Sequence, residues 1–189
     1  MEGVDEVAAG FNHSAATFIT GTEVCVWGKN MSQTPQGKPR DVFLPLSFTL
    51  PRPVVAVACS SHQTFVLLND NSVHGHGIYK DGGGRVTTEF VEVWAPGGET
   101  VELFGGHRAT VVVGGREAWV LELDAGDSLE VVEGEEGENE GEGEVEEDTG
   151  FVPHARRAEW LPEGGLGEGL AIRSVATGWD FGVAEIEEV

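Results

Sequence analysis

Six histidines and two cysteines are the side chains of this sequence best suited to hold a metal or move a proton. His74 and His76 are two residues apart in a run that reads as a strand. That spacing sets both imidazoles on one face, half of what a zinc site needs. No second ligand pair accompanies them, so strand residues are the favoured reading and metal ligands the lesser one. His13, His62 and His107 recur at a near-constant interval. A catalytic histidine is needed once, beside its partners, rather than once per repeat. These three read instead as structural hydrogen-bonders that hold neighbouring strands in register. Cys25 and Cys59 each lie inside an apolar run and read as buried small hydrophobes, not as a disulfide or redox pair. The run 164–169, Gly-Gly-Leu-Gly-Glu-Gly, lacks a preceding strand, a following helix and a Lys-Ser/Thr pair, so it reads as a loop rather than a phosphate cradle. Gly82-Gly83-Gly84 reads as a flexible turn. No G-x-S-x-G, H-E-x-x-H or C-x-x-C occurs. The sequence therefore nominates no catalytic residue, no metal ligand and no cofactor.

The elements that carry these residues must be short. Glycine contributes 28 of 189 residues, roughly twice its usual share. Each glycine inside a helix costs about 1 kcal/mol against alanine, so this load points to strands and tight turns. Acidic residues outnumber basic ones 33 to 11, for a formal charge of −22. A phosphate backbone or an anionic membrane would repel such a chain, which excludes direct nucleic-acid or membrane binding and favours basic protein partners. No basic start followed by an apolar segment marks a secretory leader, and no apolar run approaches membrane-spanning length. An intracellular protein, cytoplasmic or nuclear, is expected.

Internal repetition organises the chain. Residues 7–28, VAAGFNHSAATFITGTEVCVWG, align without a gap at an offset of 49 on residues 56–77, AVACSSHQTFVLLNDNSVHGHG. This sets Ala9 on Ala58, His13 on His62, Phe18 on Leu67, Val24 on Val73 and Gly28 on Gly77. A third copy begins near Val101 and carries His107. A fourth, partial copy runs from Ile172 to Val189, with Phe181 at the histidine position. A period near 50 residues marks a propeller or array, and within each copy the period is two, the strand period. Thr20-Gly21-Thr22, Asn69-Asp70-Asn71 and Gly114-Gly115-Arg116 read as hairpin turns.

The unit V-A-x-G-x-x-H-S-x-A, a turn, then V-x-V-W-G resembles the regulator-of-chromosome-condensation repeat. The first copy carries it as Val7-Ala8-Ala9-Gly10-Phe11-Asn12-His13-Ser14-Ala15-Ala16 and Val24-Cys25-Val26-Trp27-Gly28. The last, Val175-Ala176-Thr177-Gly178-Trp179-Asp180-Phe181-Gly182-Val183-Ala184, is similar to a variant of the same strand pair. The resemblance implies an all-β fold, a β-propeller of four-stranded blades, seven to a ring. Gly10, His13, Trp27, Gly28, His62, Gly77, His107 and Gly178 then mark the structural repeat positions. Seven blades need about 350 residues, so four repeats form a partial propeller. The arc is an incomplete product, is closed by a partner, or continues in blades too degenerate to read.

Between the third and fourth copies lies Val131 to Asp148, with ten acidic residues and no basic one. Such a segment cannot bury a core and reads as an extended acidic insertion, a solvated spacer first and an attractor of basic tails second. The chain divides accordingly into repeats 1–3 over 1–128, an acidic insertion and linker over 129–165, and the start of repeat 4 over 166–189.

Functionally, the aromatics at the tight turns stand out. Phe11-Asn12 and Trp179-Asp180 hold equivalent turns that gather, in a propeller, at one mouth of the central channel, a usual docking face. Trp179 reads equally well as an anchor there or as a side chain packed between blades. The expected function is a non-enzymatic protein-interaction scaffold, binding a protein partner through blade loops. The resemblance also implies an alternative, guanine-nucleotide exchange on a small GTPase. Other members are trafficking or ubiquitin-ligase components, or short alpha-tubulin suppressor-like proteins.

Overall fold

A computed structural model describes residues 3–19, 21–33, 39–78, 87, 89–94, 101–106, 109–114, 116–124, 152–158, 161–162, 166–177 and 182–188. Every regular element among them is a strand. Blade 1 is β1 (Val4–Ala9), β2 (His13–Phe18), β3 (Glu23–Gln33) and β4 (Pro39–Thr49), hydrogen-bonded in that order. Blade 2 is β5 (Val54–Cys59), β6 (Gln63–Leu68), β7 (Val73–Gly77) and β8 (Val91–Trp94). Blade 3 is β9 (Glu102–Gly105), β10 (Thr110–Gly114), β11 (Glu117–Asp124) and β12 (Val152–Arg157). Blade 4 has two strands, β13 (Leu170–Thr177) and β14 (Gly182–Glu188). All pairings are antiparallel, and β1, β5, β9 and β13 lie side by side along the inner margin.

The strand period decides how the blades stack. On β6, Val66 and Leu68 enter one core with Ala15, Val24 and Val26 of blade 1, whereas Phe65 and Leu67 enter another with Val112 and Leu121 of blade 3. On β10, Val112 faces blade 2, while Val111 and Val113 meet Ile172 and Val175 of blade 4. Alternate residues of one strand thus serve two seams, and a blade has no inside of its own. Burying each of these side chains stabilises the stack by about 1.5–3 kcal/mol, gained only when the neighbouring blade is present. The unbroken burial of β6 from Thr64 to Leu68 follows from its having a blade on each side.

The segment assigned from composition to insertion and linker, 129–165, needs correcting at its end. Val152–Arg157 forms β12, which pairs with β11 from Trp119↔Arg157 to Asp124↔Val152 and completes blade 3. Pro153 lies on this outer strand, where a missing N–H is tolerated because one edge carries no ladder. The acidic stretch 131–148 itself lies outside the described residues.

Registers also correct the repeat alignment. Ala9 pairs with Ser14 and Cys59 with Thr64, so the first two strands of blades 1 and 2 correspond at an offset of 50. The third strands keep the offset of 49, since His13 pairs with Gly28 and Gln63 with Gly77. The hairpin between β6 and β7 is one residue shorter than that between β2 and β3. It is closed by Asn71 N–H on the Leu68 carbonyl at 2.9 Å, with Asn71 at φ 66°. Asp70 steadies it by accepting from the Ser72 hydroxyl at 2.7 Å and amide at 3.1 Å.

Candidate functional site at the axial mouth

The connection from first to second strand spans four residues in every blade, because the flanking pairs are Ala9↔Ser14, Cys59↔Thr64, Gly105↔Thr110 and Thr177↔Gly182. The tips read Gly-Phe-Asn-His (10–13), Ser-Ser-His-Gln (60–63), Gly-His-Arg-Ala (106–109) and Gly-Trp-Asp-Phe (178–181). Blades 1 and 2 build theirs alike. Gly10 N–H donates to the His13 carbonyl and Ser60 N–H to the Gln63 carbonyl, each at 2.9 Å. Lys29 N–H donates to Asn12 O at 2.9 Å, and Ile78 N–H to His62 O at 3.1 Å. Gly28 (φ 127°) and Gly77 (φ 140°) sit where the third strand passes these tips. A Cβ on either would meet backbone of the tip, so both close approach and conformation call for glycine.

Counted on this frame, the histidines at 13, 62 and 107 are not equivalent. His13 corresponds to Gln63, Ala109 and Phe181; His62 corresponds to Asn12; His107 falls at the place of Phe11, two residues early. His107, Gly178, Trp179 and Asp180 lie outside the described residues. The unlike surroundings agree. His13 is buried, and its Nε2 shares a hydrogen bond of 3.1 Å with Thr64 Oγ1 of the next blade. Burial, helped by the nearby His62, lowers its pKa to about 4, so it is neutral at pH 7. The corresponding link from blade 2 to blade 3 is not made. Gln63 Nε2 donates to the Ile78 carbonyl at 2.7 Å, and Thr110 Oγ1 stays buried without a partner. His62 is half-buried, its pKa lowered by burial and by Lys29, and its Nε2 lies 3.4 Å from Asn12 Nδ2, which can donate to the neutral ring.

Between the tips lies a cleft of about 340 Å³, lined by residues 8–11, 57–59 and 105–106. Its walls are small side chains and main chain from three successive blades. Gly10 is required by close approach: a Cβ would run into the Ser60 carbonyl and the His13 ring. Phe11 stands at the rim, 62% exposed, with its ring 6.4 Å from that of His62. A surface aromatic with this exposure, beside a cleft lined by main chain, suits recognition of another chain better than bond-making chemistry. Of the four residues proposed from sequence for binding, Phe11 and Asn12 are described; Phe11 lines this cleft, and Asn12 follows it on the same tip.

The remaining candidates have other surroundings. His76 is buried between Phe48 and Phe90, with centroids at 4.7 and 5.2 Å. Its Nδ1 lies 2.8 Å from Thr87 Oγ1 and its Nε2 3.3 Å from the Met31 carbonyl, so a neutral ring accepts at one end and donates at the other. Burial lowers its pKa to about 4. His74 lies 4.0 Å from Glu92. Among the described residues no group of three metal-ligating side chains comes together. Cys25 and Cys59 are free and buried. Trp27 is half-buried on the face of blade 1 opposite Val26. Glu6 reaches across to accept from Val57 N–H at 2.9 Å, a contact that sequence reasoning missed because a lone surface carboxylate carries no periodic signal.

Solved structures share this architecture. Yeast RCC1 (Prp20), in its complex with Kap60, matches at TM-score 0.60 and 20% identity, over 97% of this chain and 41% of that one. Human WBSCR16 matches at TM-score 0.63 and 19% identity, over 98% and 46%. The chain spans less than half the length of either. No family model and no curated protein matches the sequence. The fold is that of the regulator-of-chromosome-condensation propeller, and the sheets of the described residues form an arc that does not close a ring.

Proposed function

We propose that this chain is a protein-interaction module whose binding face is the axial mouth, with Phe11 as its anchor. The supporting observation is the placement of Phe11: a large exposed ring on a four-residue tip, over a cleft lined by Ala8, Gly10, Ala58 and Gly105. The tip is held by backbone hydrogen bonds and by the His13–Thr64 link, so the ring is presented with little ordering cost on binding. The formal charge of −22 favours a partner with a basic surface.

The test is photocrosslinking from position 11 in the native cell, with capture by the wild-type chain and by Phe11→Ser in parallel. Phe11→Ser should weaken the captured partner by about tenfold or more, the loss expected of an aromatic anchor. Equal capture by both would overturn the reading. Guanine-nucleotide exchange is separated from plain binding by nucleotide release from a panel of small GTPases. Acceleration that Phe11→Ser abolishes would assign exchange to this mouth.

A further inference from the structure

The innermost strands β1, β5 and β9 are each hydrogen-bonded on one side only, which leaves their other edges toward the axis. Hydrogen-bonded and open pairs alternate along antiparallel strands. Gly10 bonds to His13 and Ser60 to Gln63, so the pairs beside them, Ala9↔Ser14 and Cys59↔Thr64, are of the open kind. The N–H and C=O groups of Ala9 and Cys59 therefore point away from β2 and β6, toward the cleft. Gly105↔Thr110 holds the same place in blade 3. Val57 stands at the next open pair of β5, and its N–H is the one that Glu6 takes at 2.9 Å. The cleft belongs to blades 1, 2 and 3, and the two seams between those blades are both formed.

This surface is better suited to a cation than to an anion. The lining side chains are apolar apart from the Cys59 thiol, so main chain supplies the hydrogen bonds. Part of its donor capacity is already engaged, Val57 N–H by Glu6 and Gly10 N–H by the His13 carbonyl. The Cys59 carbonyl stands over Gly105, where a Cβ would meet it. Glu6 is exposed and sets a carboxylate beside Val57, a lining residue. Among the described residues no Lys or Arg lines the cleft; Lys29 is on β3, beside His62, and is not one of the lining residues. Phe11 adds an exposed ring at the rim. Carbonyls, a carboxylate and an aromatic face together match a guanidinium, whose planar fork of N–H donors also stacks on rings. An ammonium matches the charge but neither the fork nor the plane.

Given the axial mouth as the binding face, on which this assignment rests, we propose that the cleft takes up an arginine side chain of the partner protein. Its guanidinium donates to the main-chain carbonyls of Ala9 and Cys59 and to Glu6, and its plane lies against Phe11. A volume of about 340 Å³ is at the small end for ligand pockets, room for a side chain rather than for a folded element.

The whole 189-residue chain, isotope-labelled, is titrated with a capped Gly-Gly-Arg-Gly-Gly peptide and with the same peptide carrying citrulline or lysine in place of arginine. The amide signals of Ala9, Cys59 and Gly105, followed by NMR, should move and saturate with the arginine peptide. Citrulline keeps the shape and loses the charge; lysine keeps the charge and loses the plane. Each should weaken binding by about tenfold or more. Glu6→Gln can still accept from Val57 N–H, so the strands stay in place. It should bring the arginine and citrulline peptides to within about twofold of each other. Glu23→Gln, at the opposite end of blade 1, should leave the preference as in wild type. Cleft amides that stay unmoved, or arginine and lysine peptides that bind alike, would overturn the proposal. The mouth and the arginine fail separately. Equal capture of the cellular partner by wild type and Phe11→Ser removes the mouth as binding face; a partner lost with Phe11→Ser but held equally by Glu6→Gln removes only the arginine.

Discussion

His13 and His76 hold the seam between blades 1 and 2 from its inner and outer ends, and both are neutral because burial depresses their pKa to about 4. An unfolded histidine titrates near 6.5, so between those values the unfolded chain binds more protons than the folded one. Their stabilisation is therefore complete above pH 6.5 and lost as pH falls through 4. Between pH 7 and 5 each should lose roughly 2 kcal/mol. Urea melts at the two pH values measure the sum, and His76→Leu should remove about half of the pH dependence. Cys59, whose thiol burial pushes up to about 11, should resist iodoacetamide at pH 7.5 in the native state and react at once in denaturant. At this scale the sequence was partly misleading. Three histidines at similar spacing looked equivalent, yet one shortened hairpin shifts His62 out of the place of His13. Pattern matching cannot see a deletion in one hairpin when alanines, serines and histidines match nearly as well one residue away.

The elements were more legible, because period-two runs bounded by turn residues need no long-range information. Val24 and Val26 share a core as their spacing implies, while Ile19 lies exposed in the turn beyond β2. β12 was missed because Val152–Arg157 mixes proline, histidine and arginine with few apolar residues, as an outer strand can. Glycines differ by position rather than by type. Gly10→Ala should cost roughly 1–3 kcal/mol, since its methyl meets the Ser60 backbone. Gly167→Ala meets nothing within 4 Å and should stay within about 0.5 kcal/mol of wild type. Thermal melts of the pair make the comparison. Asp124 and Val152 are directly paired, so a short turn can join them. Replacing 125–151 by such a turn should keep the cooperative transition and raise stability by about 1 kcal/mol through a smaller loop-closure cost. A lost transition would show that the acidic stretch contributes to folding.

Across the whole molecule, the repeat was what the sequence showed best, and the arc of stacked blades follows from it. A sheet whose two faces serve two different cores can be stable only in series, which is the arrangement seen from blade 1 to blade 4. The proposed partner was not legible, because tip residues such as Phe11 and Ser61 leave no periodic trace in this chain. The seams also differ in kind: the first carries the His13, His76 and Glu6 links, and the second packs Trp94 on Trp119 at 5.0 Å. The constant length of the tips has a consequence of its own. Their anchoring pairs are fixed in all four blades, while the sequences between them share little beyond a leading glycine in three. Only the middle two residues of the first tip, Phe11 and Asn12, can thus be respelled without touching the seam, because Gly10 and His13 at its ends are tied to the next blade. A fixed hinge at each end of the loop leaves two letters of variation in between.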